Sequence, residues 1–354
     1  CGNIFYNNLL DLSMRMKKLL FATCCIAFLG GSLGAAAQKK SAAKNVLTQT
    51  LKGKSWSADN GNGTFTNPLF YDEFSDPDII RVGEDYYLAG TTMHSVPGLV
   101  VLHSKDLVNW EFSSYCFDRF DDSDDFNLRN GKEAYGQGIW APAIRYHNGK
   151  FYIFSNINGH GLQVYISDSA KGPWTHHKIN GDIYDLSVLF DDDGKIYAVH
   201  KYGNVTVTEL KPDLSGPVEG SSKVVIPEGN AMGEGHHVYK INGMYYILSA
   251  DYSPMGRMQC ARSKSIWGPY ETCVISERES YGYAAGWSVG NMGIGRPLPE
   301  DGFKFQNNKP NGLNLGCATI HQGGIVQAPD GKWWGVSMQD FNAVGRTVCL
   351  SPVT

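Results

Sequence analysis

A chain of 354 residues is long enough for one large domain or two small ones, and 42% hydrophobic with 12% aromatic content supplies a sizeable core. A net charge of -4 without a basic stripe excludes a nucleic-acid surface, which needs clustered Lys and Arg. Forty-one Gly and 19 Tyr among frequent turn signals favour an all-β protein over a helical one.

In chain order, residues 1–13 read as an upstream extension or fragment start, because the first residue is Cys1. Residues 14–37 read as a secretory signal peptide: Arg15, Lys17 and Lys18 precede an apolar run, and Ala35-Ala36-Ala37 offer a cleavage site. This predicts export to a periplasmic or extracellular location, with no membrane association after cleavage. A lipid anchor at Cys24 or Cys25 is the weaker alternative, since both lie early in the apolar run. Residues 38–63 read as a polar linker, and the folded part opens near Asn67-Pro68-Leu69. Beyond the signal stand Cys116, Cys260, Cys273, Cys317 and Cys349, an odd set without metal spacing, so buried or incidental thiols are expected. A Cys260–Cys273 bridge stays open.

From residue 76 a unit recurs five times: an extended stretch, a turn, then an apolar aromatic strand. The copies run from Asp76 to Tyr86-Tyr87, Trp140 to Phe151-Tyr152, Asp185 to Ile196-Tyr197, Glu234 to Tyr245-Tyr246, and His321 to Trp333-Trp334. A further strand and a Trp or Gly-Pro-aromatic stop follow, as in Val164-Tyr165-Ile166-Ser167 before Gly172-Pro173-Trp174. Five units of four short strands are the anatomy of a five-bladed β-propeller spanning residues 64–354. The acidic loop at Asp121-Asp122-Ser123-Asp124-Asp125 lacks calcium-loop spacing and reads as a solvated loop. Asp191-Asp192-Asp193-Gly194 reads as a hairpin turn. Residues 277–316, rich in Gly, Asn and Pro, read as an insertion forming a rim loop over a pocket. The stop at Thr354 reads as a truncation that leaves the last blade incomplete and a sheet edge open.

One group per unit occupies the equivalent position: Asp76, Trp140, Asp185, Glu234 and His321. Three acids carried by three blades can face each other across a sugar, which two acids on one strand could not. Glycosidic hydrolysis needs such a pair, with one group protonating the leaving oxygen and one activating water. Glu234, between Gly233 and Gly235, is the expected acid, with Asp185 beside it to keep it protonated and Asp76 as the base. Trp140 is expected to wall a sugar face. His321 is expected at the axis, as a hydrogen-bonded core residue or a metal ligand. Of His236 and His237, alternation predicts that one lines the pocket, and His236 is the candidate substrate contact.

The stretches Asp76-Pro77-Asp78-Ile79-Ile80-Arg81-Val82-Gly83-Glu84-Asp85-Tyr86-Tyr87, Ile139-Trp140-Ala141-Pro142, Asp185-Leu186-Ser187 and Glu234-Gly235-His236-His237-Val238-Tyr239-Lys240 resemble family 43 glycoside hydrolases. The resemblance implies a five-bladed propeller and inverting hydrolysis of arabinose- or xylose-containing glycans. It implies Asp76 as base, Asp185 as the orienting acid that raises a neighbour's pKa, and Glu234 as general acid. Leu186 and His236 depart from the Pro that many members carry. The family also implies a structural calcium ion or water cluster on the axis near His321, no other cofactor, and a sugar contact from Arg346. An α-L-arabinofuranosidase or β-xylosidase acting on an oligosaccharide or polysaccharide is the reading these features support. An endo-arabinanase, a retaining fructan hydrolase and a non-catalytic carbohydrate-binding propeller are the alternatives.

Overall fold

The structure is a computed structural model that describes residues 57–120, 123–157, 159–230, 232–251, 257–275, 320–340 and 345–354. The expected extension, signal peptide and most of the linker lie outside the described residues, as do the 277–316 loop and Cys317.

Nineteen strands and no helix occur among the described residues. The first sheet holds β1 (Asp78–Val82), β2 (Asp85–Gly90), β3 (Gly98–Ser104) and β4 (Trp110–Phe117). The second holds β5 (Ala143–His147), β6 (Lys150–Ile157), β7 (Gly161–Ser167) and β8 (Thr175–Ile179). The third holds β9 (Ser187–Phe190), β10 (Ile196–His200), β11 (Val205–Leu210) and β12 (Lys223–Ile226). The fourth holds β13 (Glu234–Ile241), β14 (Met244–Asp251), β15 (Arg257–Ser263) and β16 (Glu271–Val274). The fifth holds β17 (Ile320–Gln327), β18 (Trp333–Asp340) and β19 (Arg346–Val353). Each sheet is an antiparallel meander in sequence order. Its first strand touches the first strands of both neighbouring sheets, so β1, β5, β9, β13 and β17 form a closed ring. That is a five-bladed β-propeller.

Local chemistry accounts for the hairpins. Asn148-Gly149 and Asn242-Gly243 carry φ of 49°, 80°, 51° and 77°, the paired left-handed angles that a tight two-residue hairpin turn demands. Asp193-Gly194 turns β9 into β10 as expected, with Asp191 N donating to Lys195 O at 2.9 Å. The strands are apolar on both faces because each sheet packs between two others. Ile144 and Ile153 meet Ala89 and Val101 between the first and second blades. Phe154 and Val164 meet Val188 and Ala198 between the second and third. Val199 and Val207 meet Val238 and Ile247 between the third and fourth.

The open edge expected at the last blade is met by the chain itself. Residues 67–74 run along β19: Leu69 N donates to Val348 O and Phe74 N to Arg346 O, each at 2.8 Å. The Asn67 side chain donates to Leu350 O and accepts from Leu350 N, both at 2.9 Å. Ala58, inside the stretch read as linker, is buried with Phe65 and Trp334 beside it. Cys260 stands directly opposite Cys273 across β15 and β16, and no disulfide joins them.

Candidate active site

The ring of first strands brings the tips of the five units together at one end of the axis. Backbone at these tips is left-handed: φ is 52° at Asp76, 53° at Asp185, 64° at Gly235 and 45° at Gln322. A non-glycine residue there costs about 1–2 kcal/mol, less for Asp, and such strain gathers where function needs a particular aim. At Gly235 a side chain is barred twice, by its φ and because an added Cβ would lie 2.4 Å from Gln322 Cγ. The same position is a β-bulge, since Glu234 pairs with Ala250 while His237 pairs with Leu248. The bulge brings Glu234 and His237, three residues apart, onto one face.

Asp76 is buried. Thr91 donates to its Oδ2 at 2.7 Å, Arg346 Nη1 lies 3.6 Å from its Oδ1, and its own N–H points to Met338 Sδ at 3.4 Å. Arg346, the first residue of β19, is held from behind by Glu73, which accepts from its backbone N at 2.6 Å and from Ser75 at 2.8 Å. Asp185 Oδ2 accepts from Gly235 N at 2.9 Å, which ties the third blade to the bulge beside Glu234. Tyr184 donates to Glu234 Oε2 at 2.5 Å.

The charges act on one another. Burial pushes Asp185 well above the usual carboxylate range, and the negative charges of Glu234 and Asp76 push it further, against Gly235 N–H and Arg346. Burial raises Glu234 too; the Tyr184 hydrogen bond opposes, the Asp76 charge adds, and Arg346 subtracts. Repulsion within the Asp185–Glu234 pair is mutual, so the two hold a proton between them more firmly than either would alone. Tyr184 is raised as well, by burial first and then by Asp185, Glu234 and Asp76 in turn. Three carboxyl groups, one phenol and one guanidinium therefore share a single electrostatic neighbourhood.

Asp76, Asp185, Glu234 and Arg346 are thus brought together. Trp140 lies half-buried before β5, its carbonyl accepting from Ser155 Oγ at 2.6 Å. His321 is on β17, and its side chain lies outside the described residues. His236 requires a correction. It is buried, with Nδ1 2.6 Å from Ser249 Oγ and Nε2 2.6 Å from Lys201 O, so both ring nitrogens are occupied within the protein and neither faces a sugar. His237 is buried as well, but its ring turns the other way, with Nε2 3.5 Å from Asp78 Oδ1, so the two rings part to different neighbours as alternation expects, with neither exposed. Tyr184, Thr91 and Glu73 were missed. Tyr184 adjoins Asp185 in sequence, the one signal available; Thr91 and Glu73 meet their partners only through the fold. Among the described residues no three His, Cys, Asp or Glu side chains gather as a metal ion would need.

Comparison with known proteins identifies relatives of this chain. The chain is 33% identical over 306 residues to a non-reducing end alpha-L-arabinofuranosidase of Bacteroides ovatus, covering 82% of this chain and 52% of that protein. It is 30% identical over 312 residues to a putative beta-xylosidase of Xylanibacter ruminicola, covering 84% of this chain and 50% of that one. Among solved structures, a bifunctional GH43-CE protein of Bacteroides eggerthii superposes with a TM-score of 0.67 at 32% identity, covering 82% of this chain and 34% of that chain. The chain thus spans about half the length of the curated relatives it matches. The model for glycosyl hydrolases family 43 matches residues 65–282, more than half of the sequence, and with the propeller and its three converging acids the chain belongs to that family.

Proposed function

We propose that this chain hydrolyses glycosidic bonds at the non-reducing ends of arabinose- or xylose-containing plant glycans, with inversion at the anomeric carbon. The observation that carries the reading is the convergence of Asp76, Asp185 and Glu234 from three blades, with Glu234 held toward its protonated form. Asp76, oriented by Thr91 and Arg346, takes a proton from water as that water attacks the anomeric carbon. Glu234 gives its proton to the departing oxygen, and the electron pair of the broken bond leaves with that oxygen. Asp185 keeps Glu234 protonated until then. Arg346 is offered to a sugar hydroxyl, and Trp140 to a sugar face. The names of the relatives, an alpha-L-arabinofuranosidase and a putative beta-xylosidase, support a pentose at the cleaved end. Export through the segment at residues 14–37 is part of the same proposal, since plant polysaccharides do not enter cells; an axial calcium ion is left as structural, with no step routed through it.

The experiment is hydrolysis of nitrophenyl arabinofuranoside, nitrophenyl xyloside, arabinoxylan and arabinan, with the anomer of the first product followed by NMR. Inverted monosaccharide supports the reading. Asp76→Asn and Glu234→Gln are each expected to lower kcat by about 10²- to 10⁴-fold. Retention would point to a covalent intermediate, internal cuts to an endo-arabinanase, and binding of glycan without cleavage to a carbohydrate-binding propeller.

A further inference from the structure

One layer beneath the carboxylates, polar side chains link the inner strands around the axis. The five sheets are separate, so no backbone ladder joins β1, β5, β9, β13 and β17 to one another. Side chains do this instead. Asp78 of β1 is fully buried, accepts from Ile144 N of β5 at 2.9 Å and pairs with Arg145 Nη1. Arg145 reaches on to the third blade, donating from Nη2 to Ser187 Oγ at 2.6 Å and from Nε to Val188 O at 2.5 Å. Ser187 Oγ also accepts from Val238 N of β13 at 3.0 Å. Tyr239 of β13 accepts from Ile325 N of β17 at 2.8 Å. Gly324 of β17 packs closely against both, since an added Cβ there would meet Tyr239 Oη at 2.9 Å and Asp78 Oδ1 at 3.0 Å. His237 Nε2 adds a cross-link, 3.5 Å from Asp78 Oδ1.

The belt has the same register as the acids. Asp76 lies two residues ahead of Asp78, the first residue of β1, and Asp185 two ahead of Ser187, the first of β9, so each acid is carried on the short lead-in to a belt residue. Across the bulge at Gly235, Glu234 lies three residues ahead of His237. Each acid is two or three residues along the chain from a residue tied to another blade.

We propose that the Asp78–Arg145–Ser187 belt is the positioning device of this site, setting the height and spacing of Asp76, Asp185 and Glu234 across the axis. Arg145 and Ser187 touch no substrate; they act through the acids. The inference rests on the hydrolase reading, and misplacement of reacting groups by about 1 Å is the error it predicts when the belt is cut.

Two variants and a control test it. Arg145→Lys keeps a cation for Asp78 but cannot bond Ser187 and Val188 together. Ser187→Ala removes the acceptor for Arg145 and Val238. Val207→Ala opens a cavity in the packing between third and fourth blades and removes none of the belt's hydrogen-bonding groups. Both belt variants are expected to lower kcat about 10- to 100-fold with KM within about twofold, and to displace the basic limb of the pH–rate profile. Val207→Ala is expected to lower Tm and leave kcat and the profile as in the parent. Folded Arg145→Lys and Ser187→Ala proteins with the parent's kcat and profile would overturn the proposal. A parent that cleaves none of the glycosides would instead remove the hydrolase reading. The belt is then judged by ¹³C NMR titration of the Asp and Glu carboxyl groups. Altered titration of the Asp185–Glu234 pair in the belt variants supports it, and identical titration sinks it.

Discussion

At the scale of single residues, the roles proposed for the acids turn on who donates to whom. Tyr184 donates a hydrogen bond to Glu234 and so favours the charged carboxylate, opposing the burial that raises its pKa. A general acid works while protonated, so activity persists below its pKa and fails as pH rises through it. Tyr184→Phe removes a bond to the ionised form, so the Glu234 pKa rises further and the basic limb of kcat moves to higher pH. Asp185→Asn removes the carboxyl group that is coupled to Glu234, so the pair's shared proton is held less firmly and the same limb moves to lower pH. Opposite displacements of the two limbs, measured on one aryl glycoside, check both roles together. Movement in a common direction would contradict the assignment.

At the scale of elements, the bulge in β13 decides what Glu234 faces. Gly235→Ala requires an L residue at φ 64° and pushes Cβ against Gln322. The backbone term alone is about 1–2 kcal/mol, and relief would flatten the bulge and turn Glu234 away. The expected result is a lowered denaturant midpoint together with loss of most activity, read by urea unfolding and kcat on the same preparation. On the first blade, His103 of β3 bridges Asp85 at 2.5 Å and Glu111 at 2.8 Å. Burial draws its pKa down, but bonds to Asp85 and Glu111 outweigh that and hold it above the ordinary 6.5. A raised folded pKa means stability fully present below the unfolded value and lost as pH rises through the folded one. Comparing His103→Gln with the parent by Tm, the gap should be widest below about pH 6.5 and close at higher pH.

At the scale of the whole molecule, a propeller is stable only if its ring closes, because each sheet buries both faces against neighbours. Here closure couples residues 283 apart, Asn67 to Leu350, through a reciprocal pair of side-chain-to-backbone bonds. Asn67→Ala leaves a Leu350 N–H and C=O to find other partners. The expected cost is about 1–3 kcal/mol and a Tm lower by a few degrees, seen in thermal unfolding. Closure also delivers Arg346 to Asp76, since Asp76 follows directly on the 67–74 segment that runs along β19, so the same variant should weaken activity near its Tm more than in the cold.

The repeat register was legible in the sequence by itself: turn chemistry and strand period are short-range, and they put Asp76, Asp185 and Glu234 at equivalent positions in a five-bladed ring before any coordinate was known. What only the tertiary structure decided depends on displacements of a single residue and on contacts across hundreds. A one-residue bulge at Gly235 reverses facing, which is why His236 turned from an expected sugar contact into a buried post between Ser249 and Lys201. Thr91, Glu73 and Tyr184 acquire their partners from other segments of the chain, and the Asp78–Arg145–Ser187 belt exists only once three blades meet. Alternation along a strand is written locally; which strand lies opposite, and at what height, is settled by the ring.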